Sequence, residues 1–287
     1  FYRVKYEVEG TPLISIIIPN KDERESLKKC IDSIEKKSTY ENYEILIVEN
    51  NSTSKEIFEY YKELSDNPKI RLLKWKEGFN YSAINNFGVK EAKGDYILLL
   101  NNDTEMIAPD SISDMLGYCM RPDVGIVGAK LLYPDGTIQH AGVIIGLGGI
   151  AGHAFIGLDA NQYGYMSRAY LSSDYSAVTA ACLMISKDIY NEVGGLCEEY
   201  AVAFNDVDFN LKLLKQGYYN ICLNQVELYH YESKSRGDDT VDTNSAKYRR
   251  FVQEHDYIKD KWGYMLYSDR FYNPNLSLKK AFVLDKE

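Results

Sequence analysis

The chain of 287 residues has no apolar run approaching the roughly 18 residues of a membrane-spanning helix, so no direct span is expected. Its opening, FYRVKYEVEG, has neither an apolar signal-peptide core nor an initiating methionine, and reads as part of a longer chain. Cysteine is sparse: Cys30, Cys119, Cys182, Cys197 and Cys222 are scattered, odd in number and form no CxxC pair. That pattern suggests neither a zinc site nor a disulfide framework, and buried free thiols in a reducing compartment are expected instead. Basic charge is in deficit, 33 Lys and Arg against 42 Asp and Glu, for a net charge of −9. Broad adsorption to nucleic acid or membrane is therefore disfavoured. Internal repeats and low-complexity segments are absent as well. What is there, 45% apolar and 26% charged residues, is the composition of a globular chain long enough for one large domain or two packed ones.

The first half alternates short apolar runs with amphipathic segments. LISIII (13–18), YEILIVE (43–49), IRLLKW (70–75), YILLL (96–100) and VGIVGA (124–129) read as strands. ERESLKKCIDSIEKK, SKEIFEYYKEL with Ser54 as N-cap, YSAINNFGVKEA ended by Gly94, and DSISDMLGYCM read as helices. This alternation predicts an α/β fold with a mostly parallel sheet and helices on both faces. Ligands of such sheets bind beyond the carboxyl ends of the strands, so the polar groups after each strand should converge on one rim: Pro19-Asn20, Glu49-Asn50-Asn51, Trp75 and Asn101-Asn102-Asp103. After Tyr133 the rhythm changes. PDGTIQHAGVIIG predicts a hairpin, the Gly- and Tyr-rich stretch up to Tyr175 loops over the rim, and AVTAACLMI a buried strand. DVDFNLKLLKQG predicts a helix ended by Gly217, YNICL and VELYHY two short strands, and SAKYRRFVQEHDYIKDKW an outer charged helix.

Three places carry chemistry-bearing residues. Asp103, ending a buried strand, suits a divalent cation that bridges two phosphates, because Mg²⁺ and Mn²⁺ favour oxygen ligands; the bland alternative is an Asx-turn. Asp206 and Asp208 begin a helix, where the dipole favours carboxylates in any case; the alternative is a general base on the rim. His230, among aromatics in LYHYESKSRG, is either a packing residue or part of a site that Ser233–Gly237 could close over a diphosphate. GLGGIA (146–151) matches a dinucleotide fingerprint but lacks the helix and βαβ unit that motif needs, and is expected to be a flexible loop over the active site.

Taken in order, ISIIIPNKDERESLKKCIDSI, YEILIVENNST, GFNYSAINNFGVKEAKGDYILLLNNDTE, VTAACLMISKDIYNEVGGLCEEYAVAFNDVDFNLKLLKQGY and LYHYESKSRG resemble the family 2 glycosyltransferases of GT-A fold. The similarity runs from about Pro12 to about Gly237 and is greatest to bacterial enzymes that build rhamnan, O-antigen and other surface glycans. It implies residues 1–11 as an N-terminal arm, 12–130 as the nucleotide-sugar half, 131–237 as the acceptor and catalytic half, and 238–287 as a helical extension. The whole would be one module of a longer transferase.

The resemblance also implies roles. Pro19, Asn20, Glu49 and Asn51 would contact the nucleotide, with Glu49 standing where the family usually has Asp. Asn85 would face it from a helix. Asn101, Asn102 and Asp103 correspond to the family's DxD, so that Asp103 would carry Mn²⁺ or Mg²⁺. Asp206 would be the catalytic base, with Asn205 where Glu usually precedes it, and His230 a second metal ligand. The implied activity is inverting, metal-dependent transfer of a sugar from a UDP-sugar, with a dTDP-sugar such as dTDP-rhamnose as rival. The acceptor would be a growing glycan on a lipid carrier or a surface protein.

Other transferase domains of the same chain are the implied partners, nucleic acid is not, and a homo-oligomer stays open. A cytoplasmic location is implied, at the inner membrane face if a partner domain supplies an anchor. Two other readings compete. A sugar nucleotidyltransferase would have a Gly-rich basic loop after the first strand, where this chain has PNKDERES. A non-catalytic binding module is kept open by the asparagines at 101 and 205.

Overall fold

A computed structural model describes residues 2–231, 242 and 244–285; Ser233–Gly237, expected to close over a diphosphate, lie outside the described residues. The chain forms β1 (Ile14–Asn20), α1 (Arg24–Lys37), β2 (Tyr43–Asn50), α2 (Lys55–Leu64), β3 (Ile70–Trp75), α3 (Tyr81–Glu91), β4 (Tyr96–Leu100), β5 (Thr104–Met106) and α4 (Ser111–Cys119). It continues through β6 (Val124–Leu132), β7 (Ile138–His140), β8 (Val143–Ile145), β9 (Ala151–His153), β10 (Ser173–Tyr175), β11 (Cys182–Ser186), α5 (Lys187–Glu192), α6 (Asn205–Gln216), β12 (Tyr219–His230) and α7 (Ala246–Trp262).

The central sheet has strand order β10-β12-β6-β11-β4-β1-β2-β3. The β4-β1-β2-β3 half is parallel throughout. β11 runs antiparallel to both β4 and β6, and β12 is parallel to β6. Strands covered on both faces must be apolar at nearly every position. Ile14, Ile16, Ile17 and Ile18 are accordingly all fully buried, each such side chain contributing about 1.5–3 kcal/mol. Their alternate side chains feed two separate apolar clusters, Ile14, Ile16 and Ile18 on one face and Ile17 on the other.

Several local expectations are revised. β1 runs on through Pro19-Asn20 rather than closing before them. A proline is tolerated there because the pairing with β4 ends at Ile17, leaving Pro19 a neighbour only in β2. α3 stops at Glu91 with extended Ala92 as its C-cap, and Gly94 does not cap it. A Cβ on Gly94 would lie 2.6 Å from Leu13 O and Ser15 N, so the glycine serves the close approach of two backbones. Ser54 is the N-cap residue of α2 but makes no capping bond with its side chain. Instead Asp22 Oδ1 accepts the N–H groups of Ser54 (2.7 Å) and Thr53 (2.6 Å).

YNICL and VELYHY form one strand, β12, interrupted by a register shift between Leu223 and Glu227. GLGGIA spans the turn of the β8–β9 hairpin, tied to the C-terminal segment by Gly148 N–H to Leu278 O (2.8 Å). Gly217 ends α6 in the left-handed region, as its sequence suggests. Among the described residues no helix is long and apolar enough to cross a membrane. Four of the five cysteines are buried and all are free.

Candidate active site

The carboxyl ends of β1, β2 and β4 and the end of β12 supply the residues of one rim. A short antiparallel pairing assembles its centre. Thr104 of β5 is registered against His230 of β12, which brings the preceding Asp103 beside the histidine. The Asn101–Thr104 turn is closed by the Thr104 N–H (3.3 Å) and hydroxyl (2.9 Å), both donating to Asn101 O. The Asp103 carboxylate is not used to hold that turn, which removes the bland explanation for it. Asp103 Oδ1 lies 3.1 Å from His230 Nε2.

That contact is not a formed hydrogen bond: Asp103 Oδ1 is a buried oxygen without a hydrogen-bond partner. His230 Nδ1 is 2.5 Å from Gln139 Oε1. With the amide oxygen accepting, Nδ1 carries a proton, and in the neutral imidazole Nε2 turns its lone pair toward Asp103 Oδ1. Asn101 Nδ2 approaches Nε2 at 3.4 Å. One oxygen and one nitrogen donor directed at a common point, one of them orphaned, fit a divalent cation. Among the described residues no group of three or more His, Cys, Asp or Glu could hold a metal alone. The remaining ligands would have to come from a bound diphosphate and water, as is usual for Mg²⁺.

A hydrogen-bonded chain extends from this centre in both directions. On one side Asn102 Nδ2 donates to Asn20 Oδ1 (2.6 Å), and Asn20 Nδ2 donates to Tyr61 Oη (2.8 Å). On the other, Tyr81 Oη is 3.2 Å from Asn101 Oδ1 and 3.1 Å from Ala180 O, two acceptors for one proton. The N–H of Ala180 in turn donates to Asp206 Oδ2 (3.3 Å), and Asp206 Oδ1 accepts the Val207 N–H (2.8 Å). Burial, and then the charges of Asp206 and Asp103, push the Tyr81 phenol far above its ordinary range, so it acts only as a neutral donor. Tyr81 thus stands between the two carboxylates.

The other expected residues divide. Pro19 is half-buried and Asn20 is buried in the chain just described. Glu49 folds back, its Oε1 accepting the Ser52 N–H (2.5 Å), so its extra methylene is spent in capping the turn. Asn51, at φ 53°, donates to Glu77 O (2.7 Å) and ties the β2 turn to the loop after β3. Asn85 is fully buried behind the rim, donating to Tyr81 O (2.8 Å), with an orphaned Oδ1. Asp208 is no rim residue: fully buried, it accepts from Trp262 Nε1 (2.7 Å) and pairs with Lys261 (2.7 Å). Beside Gln139, burial together with His153 and His230 holds His140 well below the usual imidazole range.

Sequence reasoning missed Tyr81, Gln139 and Tyr61. Tyr81 had a local signal, because it opens a helix whose start faces the rim. Gln139 had none, since its contact with His230 is made across strands 91 positions apart.

The glycosyl transferase family 2 model matches residues 15–194. The chain belongs to glycosyltransferase family 2. It is 45% identical over 286 residues to the uncharacterized protein y4gI of Sinorhizobium fredii, covering 99% of this chain and 31% of that protein. It is 38% identical over 281 residues to the O-antigen biosynthesis protein RfbC of Myxococcus xanthus, covering 96% and 21%. An N-acetylglucosaminyl-diphospho-decaprenol L-rhamnosyltransferase of Mycobacterium tuberculosis is 26% identical over 167 residues, covering 54% and 53%. This glycosyltransferase chain therefore spans less than a third of the length of the first two relatives.

Two solved structures share its architecture. One is GalNAc-T7 with UDP, GalNAc and Mn²⁺ (TM-score 0.69, 13% identity, 90% of this chain and 51% of that one). The other is the mannosyltransferase PcManGT of Pyrobaculum calidifontis with GDP-Man and Mn²⁺ (TM-score 0.60, 15% identity, 89% and 72%). The expected GT-A fold, with a mixed central sheet flanked by helices, is borne out.

Proposed function

We propose that this glycosyltransferase is inverting and metal-dependent, and transfers a sugar from a nucleotide sugar to a growing surface glycan. The observation that carries the reading is the approach of Asp103 Oδ1 and His230 Nε2 to 3.1 Å, with the other ring nitrogen engaged by Gln139. Mn²⁺ or Mg²⁺ held there would offset the negative charge on a departing nucleoside diphosphate. The protein's own residues do the rest. Asn20, Glu49, Asn50 and Asn51 form the rim beside which the nucleotide would lie, and Asn102 would hold the diphosphate side of that rim through its bond to Asn20. Asp206 is the proposed base: it takes the proton of the acceptor hydroxyl as that oxygen bonds to the anomeric carbon. The carbon's bond to the diphosphate oxygen breaks on the opposite face, and the sugar's configuration inverts.

A UDP-sugar is the first proposed donor and dTDP-rhamnose its rival. The UDP bound in one structural neighbour favours the first, and the rhamnosyltransferase among the relatives favours the second. The O-antigen relative supports a surface-glycan acceptor, on a lipid carrier or a protein. The 12–130 and 131–237 halves are proposed as donor-side and acceptor-side, with further domains of a longer chain as partners.

The asparagines at 101 and 205 favour one competing reading, a binding module without turnover. Asp206→Asn separates the two. Nucleotide release from the matching sugar nucleotide should fall about 10²–10⁴-fold while nucleotide affinity is kept. Equal rates in wild type and variant would remove Asp206 from the chemistry.

A further inference from the structure

The segment that delivers Asp206 enters its helix through a strained residue, and one local side chain, Asn205 with its Nδ2 donating to Val202 O (2.7 Å), ties that entry from within. α6 begins after Phe204, a non-glycine residue at φ 60°, ψ 5°, and Phe204 provides no side-chain cap. A bulky residue in the left-handed region is strained and persists only where its surroundings impose it. Here the start of α3 holds the stretch before it, with Tyr81 N–H donating to Ala201 O (2.8 Å) and Ser82 Oγ to Tyr200 O (2.7 Å), and α7 holds the entry itself. Glu254, only 3% exposed, directs both carboxylate oxygens at the preceding backbone, accepting the N–H of Val202 (3.1 Å) and of Ala203 (2.7 Å). Phe251 packs on the Phe204 ring at 5.6 Å, and Tyr257 on Tyr200 at 5.1 Å. One helical turn beyond Glu254, Ile258 is fully buried. At the end of the helix, Lys261 and Trp262 both bind the carboxylate of Asp208, two residues after Asp206.

Successive turns of α7 thus grip the stretch from Tyr200 to Asp208, and nearly every contact is made to residues flanking Asp206 rather than to Asp206 itself. A helix serving only to cover apolar surface needs no buried carboxylate aimed at two peptide N–H groups, since burying that charge is costly unless it is fully used. We propose that α7 is a brace for the base, with Glu254 as its positioning residue. In this view Glu254 fixes the strained entry to α6 and thereby the direction of the Asp206 carboxylate. This inference rests on Asp206 being the base.

The test compares wild type with Glu254→Gln, which keeps the shape but presents one amide oxygen and one NH₂ where two acceptors stood. A second variant, Asp208→Asn, releases the far end of the grip. Asp260→Asn, on the exposed side of α7, is the control. Three readings are taken on each: UDP and dTDP affinity with Mn²⁺ by calorimetry, nucleotide release from UDP- and dTDP-sugars, and hydrogen exchange at residues 201–208. The brace predicts about tenfold slower release and faster exchange at Val202 and Ala203 in Glu254→Gln, with nucleotide affinity and the exchange of residues 101–106 unchanged.

Full turnover despite lost protection at 202 and 203 would overturn the brace while leaving the function standing. A Glu254→Gln variant that loses nucleotide binding and turnover together would also overturn it, because the helix would then be a general support. No nucleotide release by wild type from either UDP- or dTDP-sugars would overturn the proposed transfer reaction, and the brace with it. If Glu254→Gln fails to fold, Asp208→Asn must show the same split between turnover and affinity.

Discussion

Asp103 and His230 meet side chain to side chain across the β5–β12 pairing. Their Oδ1 and Nε2 atoms are 3.1 Å apart, Oδ1 has no hydrogen-bond partner, and Nδ1 on the far side of the ring is engaged by Gln139 Oε1 at 2.5 Å. In the neutral imidazole tautomer with its proton on Nδ1, two electron-rich atoms that close repel each other unless a cation lies beside them. The strand pairing of β5 with β12 enforces the encounter.

Gln139 therefore matters through its contact with His230, on the side of the ring away from Asp103. Gln139→Leu removes the acceptor that fixes the imidazole tautomer. Loss of such an outer contact typically weakens metal binding about 10–100-fold. Mn²⁺ titration followed by electron paramagnetic resonance should show that loss in the folded variant. Unchanged Mn²⁺ affinity would mean that the tautomer is fixed by something else.

Tyr81 is the link between the metal end and the base. Tyr81→Phe leaves Asn101 Oδ1 and Ala180 O without their hydroxyl donor. An orphaned buried acceptor costs about 1–3 kcal/mol, so a lower midpoint in chemical denaturation is expected. Turnover should drop more than nucleotide affinity, because Ala180, whose N–H donates to Asp206, loses the anchor on its carbonyl. Steady-state kinetics beside calorimetry measures both. A variant as stable and as active as wild type would show that the hydroxyl bridges nothing of consequence.

Much of this was readable in the sequence, for physical reasons that differ by region. β1, β2 and β4 are buried on both faces, so their apolar runs are unmistakable, and the polar residues that follow them lie on the rim by geometry alone. Asp103 and Asp206 could be singled out because each ends or begins such an element. The bulge in β12 was hidden, since the polar pair Asn224-Gln225 looks like a break between strands. The role of Asp208 was hidden too: its partner Trp262 is 54 positions away. Glu254 gave no sign in a helix that is charged throughout, because only the fold reveals which of its many carboxylates is buried.

Acid stability should depend on Glu44, at the opposite ends of the strands from the site. Its Oε1 accepts from Ser15 Oγ and Lys93 N–H, both at 2.7 Å, and its Oε2 from Arg71 at 3.0 Å. Burial alone would raise its pKa, but Ser15, the Lys93 N–H and Arg71 outweigh burial and hold it below the ordinary value of 4.5. A carboxylate depressed in the folded state stabilises above its unfolded pKa and loses that contribution as pH falls through the folded value. Glu44→Gln should therefore cost about 1.5–3 kcal/mol near neutral pH. The gap to wild type should close progressively below about pH 4.5, as followed by urea denaturation across a pH series. A gap that is constant with pH would show that the charge of Glu44 contributes nothing.

The most direct measurement is calorimetric titration of UDP and dTDP into wild type and Asp103→Ala, each with and without Mn²⁺. A metal-dependent nucleotide site predicts binding of one nucleotide series in wild type only when Mn²⁺ is present. That binding should be lost, or weakened at least tenfold, in Asp103→Ala. Equal affinity with and without Mn²⁺, or equal affinity in the variant, would contradict the account by showing that Asp103 and His230 do not hold a cation against the nucleotide.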